Sequence, residues 1–88
     1  SVDPRLPVQE QVVGVIAPDG TPLAFPATAA KAALRAGETV ELGGVRLELD
    51  GDGLRAELDD GDGAVSHQAF WFAWSQFHPG TAVWTRHG

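Results

Sequence analysis

The chain has 88 residues, no cysteine, and six lysines and arginines against twelve acidic residues, for a formal net charge of −6. At this length we expect one compact domain, because a second would be too small to bury its own core. The lack of cysteine excludes a disulfide scaffold, a thiolate metal site and a cysteine nucleophile. The negative charge argues against nucleic-acid binding. No apolar run approaches the about 20 residues of a membrane-spanning helix, so we expect no direct membrane insertion.

The beginning of the chain predicts a lead-in followed by a β-hairpin. Residues 1–10 hold two prolines and scattered charges, and are predicted to form an extended lead-in to a single domain over residues 11–88. Residues 11–17 are a β-branched apolar run, which predicts a strand buried on both faces. The turn Pro18-Asp19-Gly20 and a second short strand over residues 22–25 complete the hairpin.

A short helix is predicted over residues 28–36. Thr28 is a candidate N-cap, the following residues are rich in alanine, and Gly37 stands where a C′ glycine belongs. Leu34 is the only large apolar side chain of this segment, so the helix must pack against a sheet to be stable.

The most regular pattern predicts a three-stranded antiparallel meander over residues 38–58. Apolar and polar residues alternate, and Gly43-Gly44 and Gly51-Asp52 suit two-residue hairpin loops. These loops fix a register in which apolar residues face apolar residues and acids face bases, each pair contributing about 0.2–1 kcal/mol. The predicted pairs are Leu42–Val45, Glu41–Arg46, Val40–Leu47, Leu49–Leu54, Glu48–Arg55, Leu47–Ala56 and Arg46–Glu57.

Two of the three tryptophans and three of the four phenylalanines lie within residues 70–77. We predict an aromatic helix over residues 67–78, capped by Ser66 and ended by Pro79-Gly80. Phe72 falls on its polar side. A strand is the competing prediction for this block, but it would place large rings on both faces. The side chains on the broad apolar face of the helix are predicted to join the core: Phe70, Trp71, Ala73, Trp74 and Phe77.

These elements predict an α+β fold. A final strand is predicted over residues 81–86, where Val83 alternates with Trp84. One twisted, mainly antiparallel sheet of five or six strands should pack against the aromatic helix, with the alanine-rich helix at one side.

The acidic residues of the second half invite a calcium interpretation. An EF-hand loop needs oxygen ligands at fixed spacing, but Leu54 follows Asp50-Gly51-Asp52-Gly53 directly and belongs to the apolar face of the meander. Aspartate and glycine are also the residues that tight turns require, so turn chemistry is the favoured explanation.

A divalent-metal site, with or without enzymatic activity, is the alternative functional interpretation. His67 and His78, with an acidic residue of the loop 59–62 such as Asp60 or Asp62, would supply nitrogen and oxygen ligands for zinc or copper. The spacing of the two histidines matches no ligand motif on one helix. His78 also has a structural explanation, because a cation suits the C-terminal end of a helix.

Catalytic residues are scarce, so the sequence favours a protein that is not an enzyme. Ser66 beside His67 and Ser75 near His78 are the only candidates for nucleophilic catalysis, and neither serine lies in a glycine elbow. The aromatic block is mainly expected to form core, since a short chain has few other large side chains. A weaker option is carbohydrate stacking on Trp71 or Trp84. The candidate binding residues are Phe72, Trp71, His78 and Trp84.

The segment from Phe70 to Thr81, F-W-F-A-W-S-Q-F-H-P-G-T, followed by Val83-Trp84, resembles the closing motif of an uncharacterised prokaryotic family, "domain of unknown function 3179". That motif runs aromatic-Trp-Phe-Ala-Trp-small-small-Phe-His/Tyr-Pro-Asp-Thr. Earlier segments resemble other blocks of the family in the same order, so the resemblance covers most of the chain. They are Leu6-Pro7, Val12-Val13-Gly14-Val15, Pro22-Leu23-Ala24-Phe25-Pro26 and Leu42-Gly43-Gly44-Val45.

The resemblance implies an element order and an extracytoplasmic location, but it transfers no catalytic residue. Similar members are longer, often exported or lipid-anchored, and have no established activity. They carry an additional central segment that is absent here, and Gly80 replaces their acidic residue before Thr81. The start at Ser1 without methionine suggests a processed or an artificial end of a longer protein, and no signal-peptide pattern opens the chain.

The leading functional hypothesis is a non-catalytic extracytoplasmic module that needs no cofactor. It would dock to a second copy, a neighbouring domain or a ligand through the aromatic helix. The observation behind it is Phe72 with its neighbouring rings, which offer more aromatic surface than a short meander can cover.

Overall fold

The computed structural model describes residues 2–88, which form two four-stranded sheets and two short helices. The α+β fold class predicted from the sequence is confirmed, but the strands divide into two sheets where one of five or six strands was expected. In chain order the elements are β1 (Gln11–Ile16), β2 (Pro22–Pro26), α1 (Ala27–Arg35), β3 (Glu41–Leu42), β4 (Val45–Asp50), β5 (Gly53–Leu58), β6 (Gly63–Ala64), β7 (Ser66–Phe70), α2 (Trp71–Phe77) and β8 (Ala82–Val83).

The first sheet, sheet A, has the strand order β7-β1-β2-β8. The predicted hairpin is confirmed, since β1 pairs antiparallel with β2 and Val13 lies opposite Phe25. The predicted strand over residues 81–86 is reduced to the two residues of β8, which pair in parallel with β2. Trp84 follows this short strand and donates its backbone N–H to the carbonyl of Ala24 at 2.9 Å.

The second sheet, sheet B, has the order β3-β4-β5-β6 and contains the predicted meander. Six of the seven predicted pairs are confirmed as register partners. For the seventh, the Leu47 amide donates to the carbonyl of Val40 at 3.0 Å. Gly43 and Gly44 have φ values of +59° and +80°, which most other residues adopt only at a cost. The alternation of the sequence therefore determines the pairing of β3, β4 and β5, whereas β6, which pairs with β5, lies outside the predicted meander.

One hydrophobic core joins the two sheets and helix α1. Sheet A contributes its Val13, Leu23 and Phe25 side chains, and sheet B contributes Val45 and Leu47. Trp84 and two alanines of α1 complete the same cluster. Because both sheets bury their apolar faces against each other, the described residues form a single domain around this core.

Helix α1 has the predicted C-terminus and a different N-terminus. The Gly37 amide donates to Leu34 O at 3.0 Å and the Glu38 amide to Ala33 O at 2.9 Å, which is the Schellman pattern, with Gly37 at φ +81°. The predicted N-cap at Thr28 is wrong. The capping position is Pro26, with no side-chain cap, because β2 runs directly into the helix.

The aromatic block is a strand followed by a helix, so the predicted helix over residues 67–78 is wrong in its first part. Strand β7 pairs antiparallel with residues 11–15 of β1, and Ser66 lies in this strand, where it cannot cap a helix. Hydrogen bonding to β1 overrides the local helical pattern, because it satisfies the backbone groups of β7. Helix α2 begins only at Trp71 and packs on the outer face of sheet A.

Candidate docking surface

The lead-in residues pack against helix α2, contrary to the predicted extended conformation. The first backbone amides of α2 are satisfied by this segment: Trp71 N donates to Glu10 O at 2.8 Å, and Phe72 N donates to Val8 O at 3.0 Å. The Trp71 indole also donates to Asp3 O at 2.9 Å. A helix that begins without a side-chain cap therefore obtains its capping groups from the start of the domain.

Arg5 connects the lead-in to Trp71 at the start of α2 and to Thr81 beyond its end. Its guanidinium pairs with Asp3 at 2.9 Å, donates to the carbonyl of Thr81 at 2.8 Å, and lies 5.3 Å from the ring centroid of Trp71. The hydrogen bonds from Arg5 hold the pKa of Asp3 below its ordinary value. The lead-in is thus part of the folded domain.

Trp74 lies flat against the backbone of Gly14 in β1. Its indole donates to Thr81 Oγ1 at 2.9 Å, and its ring centroid is 4.2 Å from that of His78. A Cβ atom at Gly14 would come within 2.5 Å of three ring carbons of Trp74. Sheet A and α2 therefore pack closely only because β1 has a glycine at this position.

Three of the four binding residues predicted from the sequence have structural roles. Trp71 is fully buried and Trp84 nearly so, which leaves neither ring a free face for a sugar. His78 is half-buried beside Trp74. Every fully buried side-chain polar atom in residues 2–88 has a hydrogen-bond partner, and the Trp71 indole N–H is already donated to Asp3 O.

The exposed aromatic side chains are Phe70, Phe72 and Phe77. Phe72 is 39 % exposed, as predicted, but Phe70 at 45 % and Phe77 at 82 % were expected in the core. Phe70 ends an edge strand and Phe77 ends a helix, so neither has a layer of structure above it. The rings of Phe70 and Phe72 stack with centroids 6.1 Å apart and planes 13° from parallel. Two rings that a soluble domain would normally bury thus form one continuous apolar patch.

Strand β7 lies at the edge of sheet A, and its outer side is unpaired within residues 2–88. Two hollows flank it. The larger, of about 370 Å³, lies at the start of β7 and is lined by Ile16, Pro18, Leu58, Gly63, Ala64, Val65 and His67. The smaller, of about 190 Å³, lies at its end and is lined by Gln11, Gln68, Ala69 and Phe70. We call the outer side of β7 together with Phe70 and Phe72 the edge surface.

The structure does not bring the predicted metal ligands together. Residues 2–88 contain no group of three or more histidine, aspartate or glutamate side chains arranged to hold a metal ion. His67 is on β7 and His78 follows α2. Asp60 accepts the backbone N–H of Asp62 at 2.8 Å, which is an ordinary turn contact.

The two serines considered for catalysis, Ser66 and Ser75, both lie within secondary-structure elements. Ser75 is buried, and its hydroxyl donates to the backbone carbonyl of Phe72 at 3.4 Å within α2. Ser66 is half-buried in β7. Neither serine makes a side-chain hydrogen bond to a histidine in the described chain.

Sequence reasoning missed the edge surface because the aromatic block was predicted to be one helix. The signal was present in the competing strand interpretation. The segment S-H-Q-A-F contains no proline, lysine, arginine or acidic residue, which are the usual protections of an edge strand.

The chain matches no protein-family model, no curated protein and no solved structure. The resemblance described from the sequence therefore stays a prediction. Within residues 2–88, both helices fall short of the length and apolarity that a membrane-spanning helix needs.

Proposed function

We propose that this protein is a non-catalytic interaction module that docks a protein partner through the edge surface. The observation that carries the proposal is the stacked, solvent-exposed pair Phe70 and Phe72 beside an unpaired edge strand. Exposed apolar residues are common singly, whereas contiguous rings at the rim of a concavity are typical of docking sites.

The chemistry of the edge surface suits a protein partner. An added strand would satisfy the free backbone groups of β7, and the two hollows beside it can receive alternate side chains of that strand. Val8 is 49 % exposed, and its carbonyl accepts the N–H of Phe72, so it extends the apolar area onto the lead-in.

An extracytoplasmic location is part of this proposal and is supported by the family resemblance alone. The test is the reading frame upstream of Ser1 in the gene. A signal peptide encoded there supports the location, and an upstream cytoplasmic domain continuous with this chain contradicts it.

Site-specific photo-crosslinking in the producing cell tests the docking proposal. A photoreactive phenylalanine replaces Phe72, and the same group at Thr28, which is exposed on α1, is the matched control. We expect a discrete crosslinked protein from position 72 that is absent from position 28, and that is lost when Phe70→Ser removes the stacked ring. Identical products from both positions would show that the edge surface has no dedicated partner.

A further inference from the structure

We propose that the edge surface binds a second copy of this chain, by antiparallel pairing of the two β7 strands about a two-fold axis at Gln68. This inference rests on the proposed docking function and specifies its occupant. Pairing would join two copies of sheet A into one continuous sheet.

Strand β7 is the only long edge in the described chain. The other three edge strands, β3, β6 and β8, are two residues long, whereas β7 has five. Short strands, prolines and charged side chains are the usual means of preventing edge-to-edge pairing, and β7 has none of them. Its backbone groups are therefore available to another strand of the same length.

Charge favours this edge over the remainder of the surface for self-association. Each copy has a formal net charge of −6, so two copies repel one another over most approaches. No Asp, Glu, Lys or Arg lies in β7. Antiparallel pairing about Gln68 places Gln68 opposite itself, His67 opposite Ala69, and Ser66 opposite Phe70, so no like charges face each other.

Exposed apolar side chains lie at both ends of β7. Phe70 projects at one end, while the larger hollow lies at the other end and is lined by Val65 and His67, on either side of Ser66. A two-fold axis at Gln68 places Phe70 of each copy opposite Ser66 of the other, so the exposed apolar side chains of the two copies come together at each end of the strand pair. Val65 is 78 % exposed and Ile16 is 48 % exposed, and both lie at that hollow.

The expected dimer is reversible. One strand pair with two aromatic contacts buries less than the roughly 1,600 Å² of a standard interface, so we expect a dissociation constant on the order of 10–100 µM. Sedimentation equilibrium of the purified chain across this range measures it directly.

Charge substitutions on the two-fold axis provide the sharp test. Gln68→Lys places two like charges directly opposite each other and should weaken the dimer up to about fivefold, and Gln68→Glu should do the same. An equimolar mixture of the two variants should dimerise again. Thr28→Lys on α1 is the matched control and should leave the dissociation constant unchanged.

Disulfide trapping tests the register in the same preparation. The natural chain has no cysteine, so Gln68→Cys introduces one thiol per copy. Opposed residues of an antiparallel pair have Cα atoms about 4.5–5.5 Å apart, within the range that a disulfide bridges. Gln68→Cys should crosslink rapidly under mild oxidation, and Gln76→Cys on the exposed side of α2 should not.

Three results would overturn the second-copy proposal: a monomer at all concentrations, no recovery in the Lys/Glu mixture, or equal trapping from positions 68 and 76. If the chain is monomeric but position 72 still crosslinks a different protein, the second copy is excluded and the docking function stands. If position 72 crosslinks nothing, both proposals fail.

Discussion

Gly14→Ala should destabilise the protein severely, although Gly14 has an ordinary strand backbone. Its φ is not positive, so the backbone imposes no requirement for glycine. The requirement is space, because an added Cβ would lie 2.3, 2.4 and 2.5 Å from three ring carbons of Trp74. Carbon atoms normally stay about 3.5 Å or more apart, so the indole or β1 must move by about 1 Å.

The expected loss in the free energy of unfolding follows from the packing and the hydrogen bond of the Trp74 indole. Overpacking of this kind costs about 1–3 kcal/mol. Trp74 also donates to Thr81 Oγ1 at 2.9 Å, and a shift of about 1 Å breaks this bond, leaving a buried N–H at a cost of about 1–3 kcal/mol. Alanine recovers about 0.5–1 kcal/mol of backbone entropy relative to glycine. We therefore expect a net loss of about 3 kcal/mol in the free energy of unfolding.

Urea unfolding followed by far-ultraviolet circular dichroism measures this loss, with Gly63→Ala as the matched control. Gly63 is also a strand glycine, but a Cβ there meets nothing within 4 Å. Gly63→Ala should stay within about 0.5–1 kcal/mol of the natural protein.

A double-mutant cycle identifies the cause. In a Trp74→Leu background, the smaller and rotatable side chain can turn away, so Gly14→Ala should cost at least about 1.5 kcal/mol less. If Gly14→Ala costs less than about 0.5 kcal/mol, or costs the same in both backgrounds, the close packing of α2 on β1 is refuted.

Three further outcomes test the packing and the charges around α2. Thr81→Val removes the acceptor of the buried indole and should cost about 1–3 kcal/mol in urea unfolding, whereas Thr85→Val at an exposed position should be neutral. Arg5→Ala should lower the free energy of unfolding by about 1 kcal/mol, because it releases the lead-in. Arg5→Lys should restore less than half of this loss, because lysine lacks the guanidinium fork, and full recovery would mean that charge alone matters. Hydrogen bonding from Arg55 lowers the pKa of the Glu57 carboxyl below its ordinary 4.5. The Arg55–Glu57 ion pair therefore stabilises the folded protein above pH 4.5, and this stabilisation is lost as the pH falls through the folded pKa. Glu57→Gln should therefore flatten the fall of the urea midpoint below about pH 4.5, and an unchanged slope would exclude this ion pair as its source.

The sheet B register was predictable because its information is local. Alternation and two glycine-containing turns specify the six confirmed pairs between Glu41 and Glu57, and a slip of one residue would turn the apolar residues to solvent. The C-terminus of α1 was predictable for the same reason, since Gly37 occupies a position that requires positive φ.

The aromatic block was not predictable in the same way because its structure depends on distant partners. Strand β7 is fixed by pairing with β1, more than fifty positions earlier in the chain, and α2 is capped by carbonyls of Val8 and Glu10. A helical wheel places Phe70 and Phe77 beside Trp71, but it cannot show that the chain is extended through Phe70. Because residues 67–70 were assigned to the helix, the edge surface was not predicted, and of its exposed rings only Phe72 was correctly predicted to be exposed.

The claim that Phe70 and Phe72 form a docking surface is tested most directly by fluorine NMR of the protein labelled with fluorophenylalanine. The chain has four phenylalanines, so two serve as internal references: Phe25 is fully buried and Phe77 is 82 % exposed. Spectra are compared from about 1 µM to about 1 mM protein, which spans dissociation free energies of about 8 to 4 kcal/mol, and then in extract of the producing cell.

We expect the Phe70 and Phe72 signals to shift and to lose their solvent isotope effect as partner or protein concentration rises, while those of Phe25 and Phe77 stay constant. If Phe70 and Phe72 keep the same shift and the same solvent exposure under every condition, the edge surface is not a docking site and the central claim is contradicted.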